Sequence, residues 1–398
     1  MCYITGQTEQ GNCLPAELRD GVFICRPDVP ERVLRLGKTN TWHMWCAKAC
    51  GKKGEHIKVR LEWPLYDPDL VSDEIKNMPN YEAEWESFVR PAQDVIFKST
   101  DRIHWERVCD VKLEGNSLYF ETDLASEETF FTVTLYYTME NYKNLVDTVR
   151  GNEYIKTEII GTDDGGDDIY AFTASDFSVP ESEKICVYLQ GAQHCSEFNG
   201  AHICDFMLRF FADGNAEAKA LLKKYVFQFV PVVSVTSWRL GLDVHSSGIN
   251  PNRDWIEKKL PSTKAVHRYL DSLENKPLLL IDIHSGLANY GCWETCQALS
   301  INDDLSEEEK SEMRRFIDIV YENCDFLPTR RYWSGLVDDN MFDGYGLAFG
   351  QTHTMEVSHY AIYDREEKRH FPISQTRLEK YAKQLAFAIY MFFEGKTK

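Results

Sequence analysis

Apolar and polar positions alternate with a period of two through much of the first third of the chain. His56-Ile57-Lys58-Val59-Arg60-Leu61-Glu62 is the clearest run, the pattern of a strand with one face in a core and the other in water. Val111-Lys112-Leu113 and Leu118-Tyr119-Phe120 flank Glu114-Gly115-Asn116-Ser117, which predicts a hairpin, and Phe131 to Leu135 repeats the period. From Val22 to about Tyr137 the pattern predicts a β-sandwich. Trp42, Trp45, Trp63 and Trp105 are assigned to core or interdomain packing rather than to a ligand face.

Beyond Tyr137 the periodicity lengthens. Tyr142 to Val149, Ala201 to Phe211 and Ala216 to Lys224 have helical spacing, whereas Cys186 to Leu189 and Val226 to Val233 are apolar on both faces, as buried strands are. Strand, helix, strand implies a right-handed crossover and a parallel pair. Leu278 to Ile283 is another buried run, and His353 to Ser358 a further strand-like stretch. Arg377 to Phe393 predicts an amphipathic helix with Leu378, Tyr381, Leu385, Ile389 and Phe392 toward the core; its uniformly apolar part is too short to span a bilayer.

Composition narrows the partners. The 398 residues favour two domains, and 63 acidic against 44 basic residues give a net charge of −19. Without a basic excess, nucleic acid and anionic membrane surfaces are not expected partners. Met1 to Gln7 lacks the pattern of a signal peptide, so a soluble, cytoplasmic chain is expected. The 12 cysteines are scattered through strand-like and helix-like runs, which suits reduced, buried thiols. Cys46 with Cys50, near His43, and Cys292 with Cys296 have the spacing of zinc knuckles but lack partner pairs, and are read as core thiols. Asp163-Asp164-Gly165-Gly166-Asp167-Asp168 lacks the ligand spacing of a calcium loop and is read as a solvated hairpin tip.

The chemistry gathers where buried runs end. After Gly191 and Ala192, small enough for a sharp bend, His194 and Glu197 stand three apart, so one turn aims an imidazole and a carboxylate at one point. A third donor, His284, closes the second buried run, at the strand edge where open α/β sheets bind ligands. Asp282, two residues earlier, is placed to orient that imidazole. Glu356 is a lone carboxylate at the end of a strand-like stretch, and Arg253, beside Asn252, offers a planar fork suited to a carboxylate. His202 is read as a surface or packing histidine.

In this order, from about Thr138 to the C terminus, His194-x-x-Glu197, Trp238-Arg239, Asn252-Arg253-Asp254-Trp255, His284 and Glu356 resemble the zinc metallocarboxypeptidases, or funnelins. A sandwich ahead of them resembles the cytosolic carboxypeptidase branch, and Phe131 to Val149 resembles its domain junction. The resemblance implies an all-β sandwich accessory domain, residues 1–137, and an α/β catalytic domain, residues 138–398, with a mixed, mostly parallel sheet flanked by helices.

It further implies one catalytic Zn2+ held by His194, Glu197 and His284. Asn252 and Arg253 would bind the substrate's terminal carboxylate and Arg239 polarise the scissile carbonyl. Glu356 would act as general base on zinc-activated water and then protonate the leaving amine. A tyrosine on a mobile loop closes such sites; Tyr332 and Tyr345 are the candidates, and spacing favours Tyr332. The implied activity is removal of C-terminal residues from peptides or protein tails. Arg330 and Arg331 favour an acidic terminal residue, and Asp338, Asp339 and Asp343 a basic one, so that preference stays open. The chain departs from the family where Ser234-Val235-Thr236-Ser237 replaces an Asn-Pro-Asp-Gly landmark, where Cys195-Ser196 replaces Pro-Gly, and at Asp254, Asn in many relatives. No ligand is lost. Two alternatives share the metal set: an amidohydrolase of the aspartoacylase and succinylglutamate desuccinylase type, and a catalytically silent module that binds C-terminal tails.

Overall fold

The computed structural model describes residues 2–28, 45–62, 95–114, 117–194, 197–241, 245, 247, 249–285, 298–302, 305–325, 332–335, 341–358 and 361–394, with backbone alone at 298–302, 332–335, 361 and 370. Trp42, His43, Trp63, Cys195, Ser196, Cys292, Cys296, Arg330, Arg331, Asp338 and Asp339 lie outside the described residues.

Ten strands open the chain: β1 (Tyr3–Thr5), β2 (Glu17–Arg19), β3 (Val22–Cys25), β4 (Cys46–Cys50), β5 (His56–Glu62), β6 (Phe97–Ser99), β7 (Glu106–Arg107), β8 (Lys112–Glu114), β9 (Ser117–Asp123) and β10 (Glu128–Thr132). They build two five-stranded sheets, ordered β1-β4-β10-β6-β7 and β2-β3-β5-β9-β8. The alternation of β5 buries Ile57, Val59 and Leu61, and the expected hairpin pairs Leu113 with Leu118. Between the sheets Ile57, Val59, Leu61, Leu118 and Phe120 meet Ile4, Ala47, Ala49 and Phe131 in one core, with the Phe120 and Phe131 ring centroids 5.5 Å apart. This is the expected sandwich.

The first sheet is covered on its other face too. Cys46, Phe97, Trp105 and Phe130 join a second, larger core that belongs to the rest of the chain. Phe130 and Phe131 therefore point into different cores, which removes the polar alternate from β10 and explains why the strand begins earlier than its periodicity predicts. Trp45 is fully buried, and Trp105 meets Tyr136 edge to face at 6.2 Å, as packing indoles do.

The second part runs α1 (Met139–Val149), β11 (Ile155–Thr162), β12 (Asp168–Ala174), β13 (Ile185–Gly191), α2 (Phe198–Ala212), α3 (Ala216–Lys224), β14 (Tyr225–Val230), α4 (Val235–Arg239), α5 (Pro261–Ser272), β15 (Leu279–His284), β16 (Ala298–Asn302), α6 (Glu307–Asn323), β17 (Tyr332–Gly335), α7 (Phe342–Gly346), β18 (Gln351–Glu356) and α8 (Gln375–Phe393). Its sheet has eight strands in the order β11-β12-β14-β13-β15-β18-β16-β17. The central β14, β13, β15 and β18 are mutually parallel, while β11 and β12 run antiparallel at one edge and β16 opposes β18 near the other. The sheet is therefore mixed. Every residue of β14 and β15 is buried, the consequence of helices on both faces. From β13 the chain crosses to β14 on one side and later returns to β15 on the other, so a crevice opens at their C-terminal ends.

The C-terminal helix α8 buries Leu378, Tyr381, Leu385, Ile389 and Phe392 as its periodicity predicts. Among the described residues no helix is long and apolar enough to cross a membrane.

Candidate metal centre

The site begins where β13 stops. A Cβ on Gly191 would lie 2.5 Å from the carbonyl carbon of Gly200, and one on Gly200 would lie 2.4 Å from the Ile283 carbonyl oxygen. Both positions must be glycine for α2 to seat against the ends of β13 and β15. The left-handed residue that turns the chain is Ala192, at φ 45°. Glu197 occupies the N-cap of α2, yet its side chain makes no capping hydrogen bond. Its carboxylate is turned instead toward two imidazoles.

Glu197 Oε1 lies 3.0 Å from His194 Nδ1, and Oε2 lies 2.6 Å from His284 Nδ1. The ring centroids of the two histidines are 4.9 Å apart. Both Nε2 atoms face away from this meeting point: that of His284 donates to Asp282 Oδ2 at 2.7 Å, and that of His194 donates to Asn250 Oδ1 at 2.9 Å. Acceptors behind both rings leave the Nδ1 atoms to serve a common centre. The donor atoms lie within 4.8 Å of one another. Donors about 2.0–2.1 Å from a tetrahedral zinc stand roughly 3.3 Å apart, so the imidazole–carboxylate separations of 3.0 and 2.6 Å need only small outward shifts to admit the ion.

Electrostatics agree with the geometry. Burial would raise the Glu197 carboxyl, but the two histidines outweigh it and hold the group well below the usual carboxylate range. Burial would depress His284, yet Asp282 and Glu197 outweigh it and hold the imidazole well above its ordinary value. A cation replacing the Nδ1 protons would occupy a pocket already shaped for positive charge.

Glu356 ends β18, where it is the Cα partner of His284 across the parallel ladder. Its Oε2 is buried and has no hydrogen-bond partner among the described residues. Burial first, and then the charge of Glu197, push its carboxyl up to about 7. An orphaned, buried carboxylate oxygen beside two imidazoles and a second carboxylate fits a site built around a cation, and the nitrogen and oxygen donors are those zinc takes.

Asn252 and Arg253 lie on a tight turn, Pro251–Arg253, close to this edge. The buried Asn252 accepts the Phe342 backbone N–H through Oδ1 at 3.1 Å; Arg253 is exposed and donates from Nη1 to the Asn252 carbonyl at 2.7 Å. Tyr345 is stacked on Trp255 at 5.3 Å and lies 4.5 Å from the His267 ring, with its hydroxyl buried and without a hydrogen-bond partner among the described residues. Tyr332 opens β17 at the edge of the sheet, paired with Leu299. The buried Asp343 accepts the Thr354 hydroxyl.

Trp238 and Arg239 sit on α4, a single helical turn. The acidic turn between β11 and β12 holds that helix. Asp163 Oδ2 accepts the Thr236 N–H at 3.0 Å, and Asp167 binds Arg239 Nε at 2.8 and 3.0 Å. The tip, Asp164 to Gly166, is exposed as expected, but Asp163 is buried. His245 completes a second group of possible metal donors with Asp163 and Asp164. There the Ser247 N–H donates to His245 Nδ1 at 3.0 Å, so the ring proton sits on Nε2, which faces Asp164 at 2.6 Å. That ring offers no lone pair to a cation and serves as a clamp.

His202 is a packing histidine. It is buried, donates from Nε2 to the Tyr136 carbonyl at 2.9 Å and lies edge to face on Tyr137 at 5.0 Å.

Sequence reasoning missed Asn250, Gln190 and Gln193. Asp282 Oδ1 accepts Gln190 Nε2–H at 3.0 Å, and Oδ2 accepts Gln193 Nε2–H at 2.6 Å. The signal was present: two amides at the end of an apolar strand require buried partners.

No family model and no curated protein matches the sequence. Solved structures do match the fold. A metallo-carboxypeptidase from Burkholderia cenocepacia superposes with a TM-score of 0.74 at 15% identity, over 99% of this chain and 100% of that one. A metallo-carboxypeptidase from Pseudomonas aeruginosa, solved in complex with (2-guanidinoethylmercapto)succinic acid, gives 0.73 at 15% identity over 98% and 99% of the two chains. The eight-stranded sheet and its flanking helices thus have a zinc carboxypeptidase-like fold.

Proposed function

We propose that the chain is a zinc-dependent metallocarboxypeptidase that removes C-terminal residues from peptides or protein tails. The observation that carries this reading is the convergence of His194, Glu197 and His284 on one point, with Glu356 in register beside His284. Those three residues would hold one Zn2+. When bound, the ion supplies a Lewis acid that polarises a carbonyl and acidifies water.

The chain's own residues do the rest. Glu356, with an oxygen committed to no partner, takes a proton from the attacking water and returns it to the leaving amine. Arg253 and Asn252 anchor the substrate's terminal carboxylate, and Arg239 supports charge developing on the scissile carbonyl oxygen, which requires its guanidinium to reach beyond Asp167. The stacking of Tyr345 favours Tyr332 as the residue that closes over the substrate. We assign residues 1–137 to an accessory domain and 138–398 to the catalytic domain; Val133 and Leu135, in different cores, support a division there. The nine described cysteines are all free thiols, in keeping with a cytoplasmic location.

The test is a C-terminally randomised peptide library read by mass spectrometry beside a panel of N-acyl amino acids. Loss of single C-terminal residues, abolished by a chelator and restored by zinc, is expected. Hydrolysis of the acyl amino acids alone indicates the amidohydrolase. Tight, zinc-dependent peptide binding without cleavage indicates the silent binding module.

A further inference from the structure

Gln193 stands between the metal ligands and the turn proposed to anchor the substrate. It is 1% exposed, its amide is held on both sides, and its Nε2 also lies 3.4 Å from His284 Nε2. Nε2–H donates to Asp282 Oδ2, the same oxygen that accepts His284 Nε2–H. Oε1 accepts the Trp255 indole N–H at 2.5 Å. Flipping the amide would set oxygen against carboxylate and NH2 against indole N–H, so the orientation is fixed by its neighbours.

Trp255 is fully buried and follows Arg253 by two residues. Between them, the Asp254 carboxylate accepts from Lys259 N, Leu260 N and the Thr263 hydroxyl, which pins the segment to the start of α5. Trp255 also lies 4.8 Å from the ring of Phe342, whose backbone N–H holds Asn252. A buried chain therefore runs from His284 through Asp282, Gln193 and Trp255 to the Asn252-Arg253 turn. We propose that Gln193 is a positioning residue that couples metal loading to the geometry of the carboxylate anchor. This rests on the metal site proposed above. Exchanging a proton on His284 for a cation changes the pull on Asp282, and Gln193 passes that change to Trp255; linkage makes the effect reciprocal.

The test measures zinc affinity of the full chain by chelator competition, with zinc as the only probe and no substrate. Gln193→Met removes both hydrogen bonds at similar volume and is expected to weaken zinc binding by about 10–100-fold. Trp255→Phe removes the indole donor without touching a ligand and is expected to weaken it by about fivefold or more. Phe342→Leu loosens the ring contact with Trp255 but keeps every hydrogen bond of the chain, its own backbone N–H to Asn252 included, and is expected to stay within about twofold of the parent. The proposal is overturned if Trp255→Phe binds zinc as the parent does, or if Phe342→Leu weakens it equally. Should Gln193→Met not fold, the other two variants decide the question. A parent chain that binds no zinc overturns the metal site and the coupling with it, whereas intact zinc binding without coupling overturns the coupling alone.

Discussion

His284 and Glu356 are Cα partners at the ends of two adjacent parallel strands, β15 and β18. A histidine and an acid that share a ladder rung are held at a separation set by strand spacing, about 4.8 Å, rather than by flexible loops. On the proposed function, this rung would set a proton acceptor beside the metal without making it a ligand.

Replacing Glu356 by Gln separates those roles. Zinc content, measured by atomic absorption, is expected to match the parent, while kcat falls by about two to four powers of ten. Normal turnover would remove Glu356 from the proton-transfer role.

Asp282 is fully buried and accepts from His284, Gln190 and Gln193. Asp282→Asn keeps the shape but offers donors where three donors already point. Zinc affinity is expected to fall by about 10–100-fold in chelator competition. An unchanged value would mean the carboxylate does not orient His284.

Arg253 is the proposed partner of the terminal carboxylate. Losing one charge-assisted hydrogen-bonded pair costs about 1.5–3 kcal/mol, so Arg253→Gln is expected to lower kcat/KM for peptides by roughly 10–100-fold. C-terminally amidated peptides, expected to be poor substrates of the parent, should be affected far less. Equal losses on both would place the anchor elsewhere.

His202 gives a pH dependence with a definite sign. Burial holds its pKa down to about 4, against an ordinary value of 6.5. The unfolded chain therefore binds a proton that the folded chain refuses, so stability is full above pH 6.5 and declines as pH falls toward 4. The loss is about 1.4 kcal/mol per pH unit, on the order of 3 kcal/mol in all. Urea midpoints at pH 7 and pH 4.5 should show the parent losing more stability than His202→Gln. Parallel losses would exclude His202 as a source of acid sensitivity.

The strands that carry the site were legible because helices cover both faces of the central sheet, leaving the apolar runs that end at Gly191 and His284. The metal-competent side chains were legible because each follows such a run, where an unused charge is costly. Asn250 was not, since its acceptor role depends on a turn that brings residue 250 to residue 194. Gln193 was passed over because its worth lies in two distant partners, Asp282 and Trp255. The short helix bearing Arg239 escaped the reading because one turn carries too few residues for a period, and its N terminus is held by a carboxylate from another hairpin. At β10, two cores on opposite faces erased the alternation that would have marked its ends.

The most direct measurement is an anomalous difference map, collected across the zinc edge, from crystals of the full chain grown with zinc. One peak is predicted, bonded to His194 Nδ1, His284 Nδ1 and Glu197, with Glu356 close by but not coordinated. A peak elsewhere, or none between those three side chains, would contradict the account.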